Sequence, residues 1–444
     1  MQPLASLLVP LRSAWDPALT AEGTLDPLGL TLVAERLAVH MIPGVRERQV
    51  DPRWLVAVCV GAWVDDGFEA ERVAADGKSP PAMVYEWYLV EALIRAGLDE
   101  SLAALPGRNK VRQAIERGEP VGASNYLKTP SVFGLQGVYR TLATSLGLID
   151  ADGLLLEAGA ELLHIWAVEC NLRGFISGTG PGVDFRHRLR ALVEAGLAAS
   201  HTRRMNPGDV ERLTLNLSAY AMGPPVCDRI WLLLHEAGHQ GERGWFLDRL
   251  STAAAGQILA AQGEAGVMAW LLGQAPTADI RLWLEAVQAY ERFGALIQQA
   301  FKSVLWAAQP HPVPLKILAK APPISQASAR VGPWYEASAR ALERLDLPGL
   351  VEAFEQRFAS LAEATGPASR WLDRLISHHE RIQAEKPPEG KAPWIERFAD
   401  DRVLVRPRYR LSETPASGDS LRFVNQYRSH PLRRFCEYLG RAES

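Results

Sequence analysis

Apolar residues recur at helical spacing through most of the chain, and this pattern predicts a mainly α, multi-helical protein. Leu28, Leu32, Val33, Leu37 and Ile42, then Trp54, Leu55, Val58 and Ala62, mark two helices parted by a Pro43-Gly44 turn. Pro80-Pro81 opens a third helix carrying Tyr85, Trp87, Tyr88 and Leu93, and residues 108–117 read as a short basic helix stopped by Gly118 and Pro120. The most ordered local pattern is TPSVFGLQGVYRTLATSLGLIDADGLLLEAGAELLHIW, residues 129–166. Ser131 suits an N-cap, Leu135, Val138, Leu142 and Leu146 share one helical face, and Gln136, Arg140, Thr144 and Ser145 share the opposite one. Gly147 ends that helix. Leu148-Ile149, an Asp150-Ala151-Asp152-Gly153 turn and Leu154-Leu155-Leu156 then predict a two-stranded wing, and a helix resumes at Ala160.

Helical patterns return over residues 185–197, 207–220, 246–273, 277–306, 334–345, 350–364 and 370–386. The glycine-rich ISGTGPGVDF and the proline-rich residues 310–323 read as linkers. Beyond Lys386, arginines alternate with apolar residues over 402–411, a strand signal that predicts a small C-terminal α+β segment. The expected organisation is an N-terminal helical domain (1–107), a winged-helix module (108–174), a central helical domain (175–309), C-terminal helices (324–386) and a basic segment (387–444).

The order helix, "LGLI", wing, helix resembles the winged helix-turn-helix of bacterial regulators over about forty residues. That resemblance implies DNA binding, with Gln136, Arg140 and Thr144 as base or phosphate contacts. Three stretches, DPLGLTLVAERLAVHMIPGVRERQVDPRW, TPSVFGLQGVYRTLATSLGLID and KPPEGKAPWIE, resemble uncharacterised bacterial proteins of antiphage-defence or mobile-element operons that carry a winged-helix module. They imply partner proteins from the same operon and a non-catalytic DNA-binding or scaffold subunit.

Composition narrows the classes. With 48% hydrophobic and 22% charged residues the chain has ordinary globular proportions. Its net charge of -3 conceals an uneven spread, because residues 402–441 hold nine arginines against three acids, a net +6. Interleaved with Phe423, Tyr427 and Phe435, the arginines Arg406, Arg408, Arg410, Arg428, Arg433 and Arg434 suit a nucleic-acid backbone with stacking platforms. Cys59, Cys170, Cys227 and Cys436 lie far apart, which fits a reducing compartment. No uninterrupted apolar run approaches a membrane span and the N-terminus lacks a basic leader, so a cytoplasmic protein without membrane partners is expected.

Two clusters bear on chemistry. His235-Glu236-Ala237-Gly238-His239 matches H-E-x-x-H, in which two histidines one turn apart hold zinc and the glutamate deprotonates its water, as in a zinc-dependent metallopeptidase. Against it, Gly238, Gly241 and Gly244 crowd the point where the helix has to persist. Glu264 is the candidate third ligand, with Asp248 a poorer one. Further on, His379, Gln383 and Lys386 fall within a helical turn of one another with Lys391 in the next loop, an arrangement suited to a phosphate or to an exposed helix end. GTGPG is no phosphate loop, since Lys-Ser/Thr is missing and Pro181 lacks an N–H.

Overall fold

Prolines and glycines punctuate the helices. In the computed structural model, which describes residues 26–69, 72–98, 105–236, 242–363, 366–386, 389–415 and 422–443, α1 (Thr31–Met41) ends before Gly44, whose φ is +81°. The helix α2 (Trp54–Asp66) is apolar almost all round and buried accordingly. Pro81 stands at the first position of α3 (Pro81–Arg95), where its missing N–H is harmless. There follow α4 (Arg108–Glu116), α5 (Pro130–Phe133), α6 (Leu135–Ser145), α7 (Glu157–Glu169), α8 (Gly182–Ala199), α9 (Pro207–Leu217), α10 (Pro224–Glu236), α11 (Glu242–Ser251) and α12 (Ala253–Leu272), the last broken at Gly263. The remaining helices are α13 (Ala278–Ala307), α14 (Leu315–Leu318), α15 (Pro322–Glu343), α16 (Leu350–Ala362), α17 (Ala368–Ala384) and α18 (Ser429–Tyr438). Among the described residues none is long and apolar enough to cross a membrane.

The described chain divides into two compact units. The larger comprises Val39–Ala261 with Arg428 onward; the smaller comprises the described residues up to Ala38 with Gln262–Tyr427. In the larger, α2 packs against α3, α6 and α7, and α3 also packs against α8 and α9. Trp54, Trp87, Trp166, Tyr85 and Tyr139 fill that core. The glycine-rich stretch is a packed turn rather than a linker: a Cβ on Gly182 would lie 2.0 Å from the Leu172 carbonyl oxygen.

In the smaller unit α13 packs along α15, and α16 and α17 close over them. Phe293, Tyr335, Phe354 and Phe358 form its aromatic centre, with Tyr335 stacked on Phe354 at 4.9 Å. The proline-rich residues 310–323 are not a linker either. They supply β1 (Val313–Pro314) and α14, and β1 joins β2 (Ile395–Phe398) and β3 (Arg402–Val405) in an antiparallel sheet of order β1-β3-β2. The register pairs Val313 with Val403, and Ile395 with Val405. The strand expected over 402–411 stops at Val405, because Pro407 has no N–H to donate and begins a single 3-10 turn.

Candidate functional site

The sequence singled out the stretch around α6, and local chemistry explains its form. Glu86, wholly buried on α3, accepts the Leu135 and Gln136 N–H groups (2.8 and 2.9 Å) and the Tyr126 hydroxyl (2.6 Å). It therefore caps α6 from another helix, and burial raises its pKa against the opposing pull of those hydrogen bonds. After α6, Ile149 pairs with Leu155, and the Asp150 and Leu154 backbones and the Leu156 and Leu148 backbones each bond at 2.9 Å. Asp150 Oδ1 gathers the N–H groups of Asp152, Gly153 and Leu154 at 2.8–2.9 Å, and Gly153 takes φ +97°. The result is a tight hairpin between α6 and α7.

Most of α6 is enclosed. A Cβ on Gly137 would meet Ser131 and Pro130 backbone atoms at 2.4–2.6 Å, so α5 lies directly on that face. Gln49 donates to the Val138 carbonyl (2.9 Å), and the Tyr139 hydroxyl accepts the Asp51 N–H (3.0 Å). Arg243, fully buried, donates to Ser145 Oγ (2.9 Å), the Pro43 carbonyl (3.0 Å) and the Leu234 carbonyl (2.7 Å), and burial lowers its pKa to about 10. Gln136 does not stand on an open face: it is half-buried with its amide 3.5 Å from the Val58 carbonyl. Arg140 and Thr144 are the exposed members of the expected set, and both bend toward the hairpin. Arg140 donates to the Ala151 carbonyl at 2.5 Å and Thr144 lies 3.5 Å from the Asp150 carbonyl. Around them the hairpin presents Asp152, Glu157, Leu154 (47% exposed) and Leu156 (41%), the two leucines on one side of the strand.

The C-terminal arginines divide between roles. Arg428 is buried; its N–H and guanidinium both reach Glu47, at 2.9 and 3.2 Å. Arg433 donates to the Leu250, Ser251 and Thr252 carbonyls, each at 2.9 Å, and so satisfies the end of α11. Neither is placed to meet a phosphate. Arg434 is exposed. In the smaller unit Arg406 lies 3.4 Å from Glu396, Arg410 donates to the Val405 carbonyl, and Arg408 lies over Tyr409, itself stacked on Trp394 at 4.4 Å.

The His-Gln-Lys cluster is also internal. His378 and His379 are buried, donating to the Leu28 and Pro27 carbonyls at 2.8 Å each. The second nitrogen of each ring faces a donor, Arg381 for His378 (3.2 Å) and the Trp394 N–H for His379 (2.9 Å). Burial, the largest influence, lowers both pKa values to about 4. Lys386 donates to the Asp26 carbonyl at 2.8 Å, and Lys391 remains exposed. This cluster clamps residues 26–28 rather than gripping a phosphate. The sequence signal is spacing: His378 and His379 stand three residues after Leu375 and Ile376 and four before Ile382 and Gln383, on the apolar face of α17.

For the H-E-x-x-H motif, His239 lies outside the described residues. His235 Nδ1 is 2.8 Å from the Trp231 carbonyl and Nε2 is 3.0 Å from Asp248 Oδ1. Both ring nitrogens of His235 thus face acceptors within the protein. Glu236 lies 3.5 Å from Arg229. Glu264, in the smaller unit, accepts the Tyr427 N–H at 2.7 Å. Among the described residues no group of three or more His, Cys, Asp or Glu is arranged to hold a metal ion. Comparison with models of protein families, with curated proteins and with solved structures finds no match to this chain.

Proposed function

We propose that the protein is a non-catalytic scaffold subunit whose helix–hairpin–helix module, α6 to α7, docks a partner protein. One observation carries this: Leu154 and Leu156 stand exposed side by side on the hairpin, next to Asp152 and Glu157. Exposed apolar side chains ringed by acids favour an apolar groove bordered by lysine or arginine, and disfavour a polyanion. The hairpin is held by the Asp150 turn, so docking needs little ordering. A photo-crosslinking residue placed at Leu154 in cells of the source organism gives a discrete protein adduct, whereas one at exposed Ile317 does not. Equal labelling at both positions, or none at Leu154, removes the proposal.

DNA is the second reading, favoured by Arg140, which is exposed and spends one of its donors on Ala151. With so few cations on this edge, fluorescence anisotropy gives weak duplex binding with a shallow salt slope, on the order of -1 to -3 in log–log form. Arg140→Ala weakens it and Gln136→Ala does not. A flat response at low salt discards the DNA reading.

A further inference from the structure

An open cleft of about 1070 Å³ lies in the larger unit, between the end of α3, the turn at Gly118 to Pro120, and residues 202–207 leading into α9. Its walls are built by hydrogen bonds internal to the protein. Thr202 N donates to the Val121 carbonyl (2.7 Å), Val121 N donates to Thr202 Oγ1 (3.0 Å), and Arg203 N donates to the Tyr88 hydroxyl (2.7 Å). Asn206 and Asp209 close a reciprocal cap on α9, and Asp209 is also paired with Arg188. A cleft held this way loses little freedom when filled.

Its chemistry is two-sided. Glu91 is 3% exposed, and while its Oε1 accepts Arg95 Nε at 2.7 Å, its Oε2 has no hydrogen-bond partner. A buried carboxylate oxygen without a donor is costly and rare, and Glu91 is one of the residues that line the cleft. Toward solvent, Arg203 and Arg204 are exposed and enter no ion pair among the described residues. Met205, Val210 and Leu215 supply apolar lining, and the remaining acids, Glu119 and Glu211, are exposed at the rim.

The geometry points to a binding site for a small molecule of mixed charge: an ammonium or amino N–H toward the Glu91 carboxylate, a carboxylate or phosphate against Arg203 and Arg204, and an apolar middle. An α-amino acid and a nucleotide with an exocyclic amine share this chemistry. Calorimetric titration of the full chain with L-arginine, with cytidine 5′-monophosphate and with inorganic phosphate separates them. One of the two double-ended probes binds at least about tenfold more tightly than phosphate. Glu91→Gln weakens that probe by about tenfold or more, and Arg203→Ala with Arg204→Ala does the same. Thermal melts verify folding of each variant, and the exposed double arginine variant decides the matter where Glu91→Gln fails to fold. The proposal is overturned if neither double-ended probe exceeds phosphate, or if binding is unchanged by the substitutions.

Discussion

Glu291 shows how much one side chain holds in place. Wholly buried on α13, it accepts the N–H of Val424, the Asn425 amide (2.8 Å) and the Tyr427 hydroxyl (2.8 Å), so it ties residues 424–427 into the smaller unit. Glu291→Ala leaves these donors buried without an acceptor and destabilises by about 3 kcal/mol in denaturant titration. The paired histidines make a pH prediction. Their folded pKa values, about 4, lie below the ordinary 6.5, so the unfolded chain binds more protons between those limits. Their contribution is fully present above about pH 6.5 and is lost as pH falls toward about 4; the unfolding midpoint of the wild type drops across that window, and a His378→Gln, His379→Gln double variant shows a flatter profile. A profile as steep in the double variant as in the wild type contradicts this. Sequence spacing brought His379, Gln383 and Lys386 together correctly. It was silent on what they meet, because Pro27 and Leu28 are some 350 residues earlier in the chain.

At the scale of elements, the hairpin and α6 are one construction. Asp150→Ala removes the acceptor for three N–H groups, and hydrogen exchange at residues 152–154 accelerates, with a loss of about 1–2 kcal/mol. Gly137→Ala pushes a methyl group into the Ser131 carbonyl and lowers stability, whereas Gly147→Ala meets open space and is strained only by its φ of +67°. A thermal melt in which Gly137→Ala is the more stable of the two contradicts the packing of α5 on α6. The order of these elements was legible in the sequence: the apolar face of α6, the Asp-Ala-Asp-Gly turn and the helix after it all follow from neighbouring residues. Which polar residues stayed free was not. Gln136 shares a face with Arg140 on a helical projection, yet Val58 covers it, and Ser145, on the other side of the helix from Gln136, meets Arg243; both partners come from other parts of the chain.

Across the whole molecule, the C-terminal segment belongs to both units: residues 424–427 are fastened by Glu291, and α18 (Ser429–Tyr438) packs against α11. Truncation after residue 415 removes both attachments, and limited proteolysis then cuts each unit faster than in the full chain. Within the net +6 of residues 402–441, Arg428 and Arg433 spend donors on Glu47 and on a helix end. The sequence by itself determined the helical class, the punctuation at Pro43-Gly44 and Pro81, and the helix–hairpin–helix order, because periodicity and turn chemistry act over a few residues. The tertiary structure alone decided which charges are structural and which are free. Burial and hydrogen bonding of Glu86, Arg243, Glu291, His378 and Arg428 depend on groups brought near by folding, and no local pattern encodes that distance.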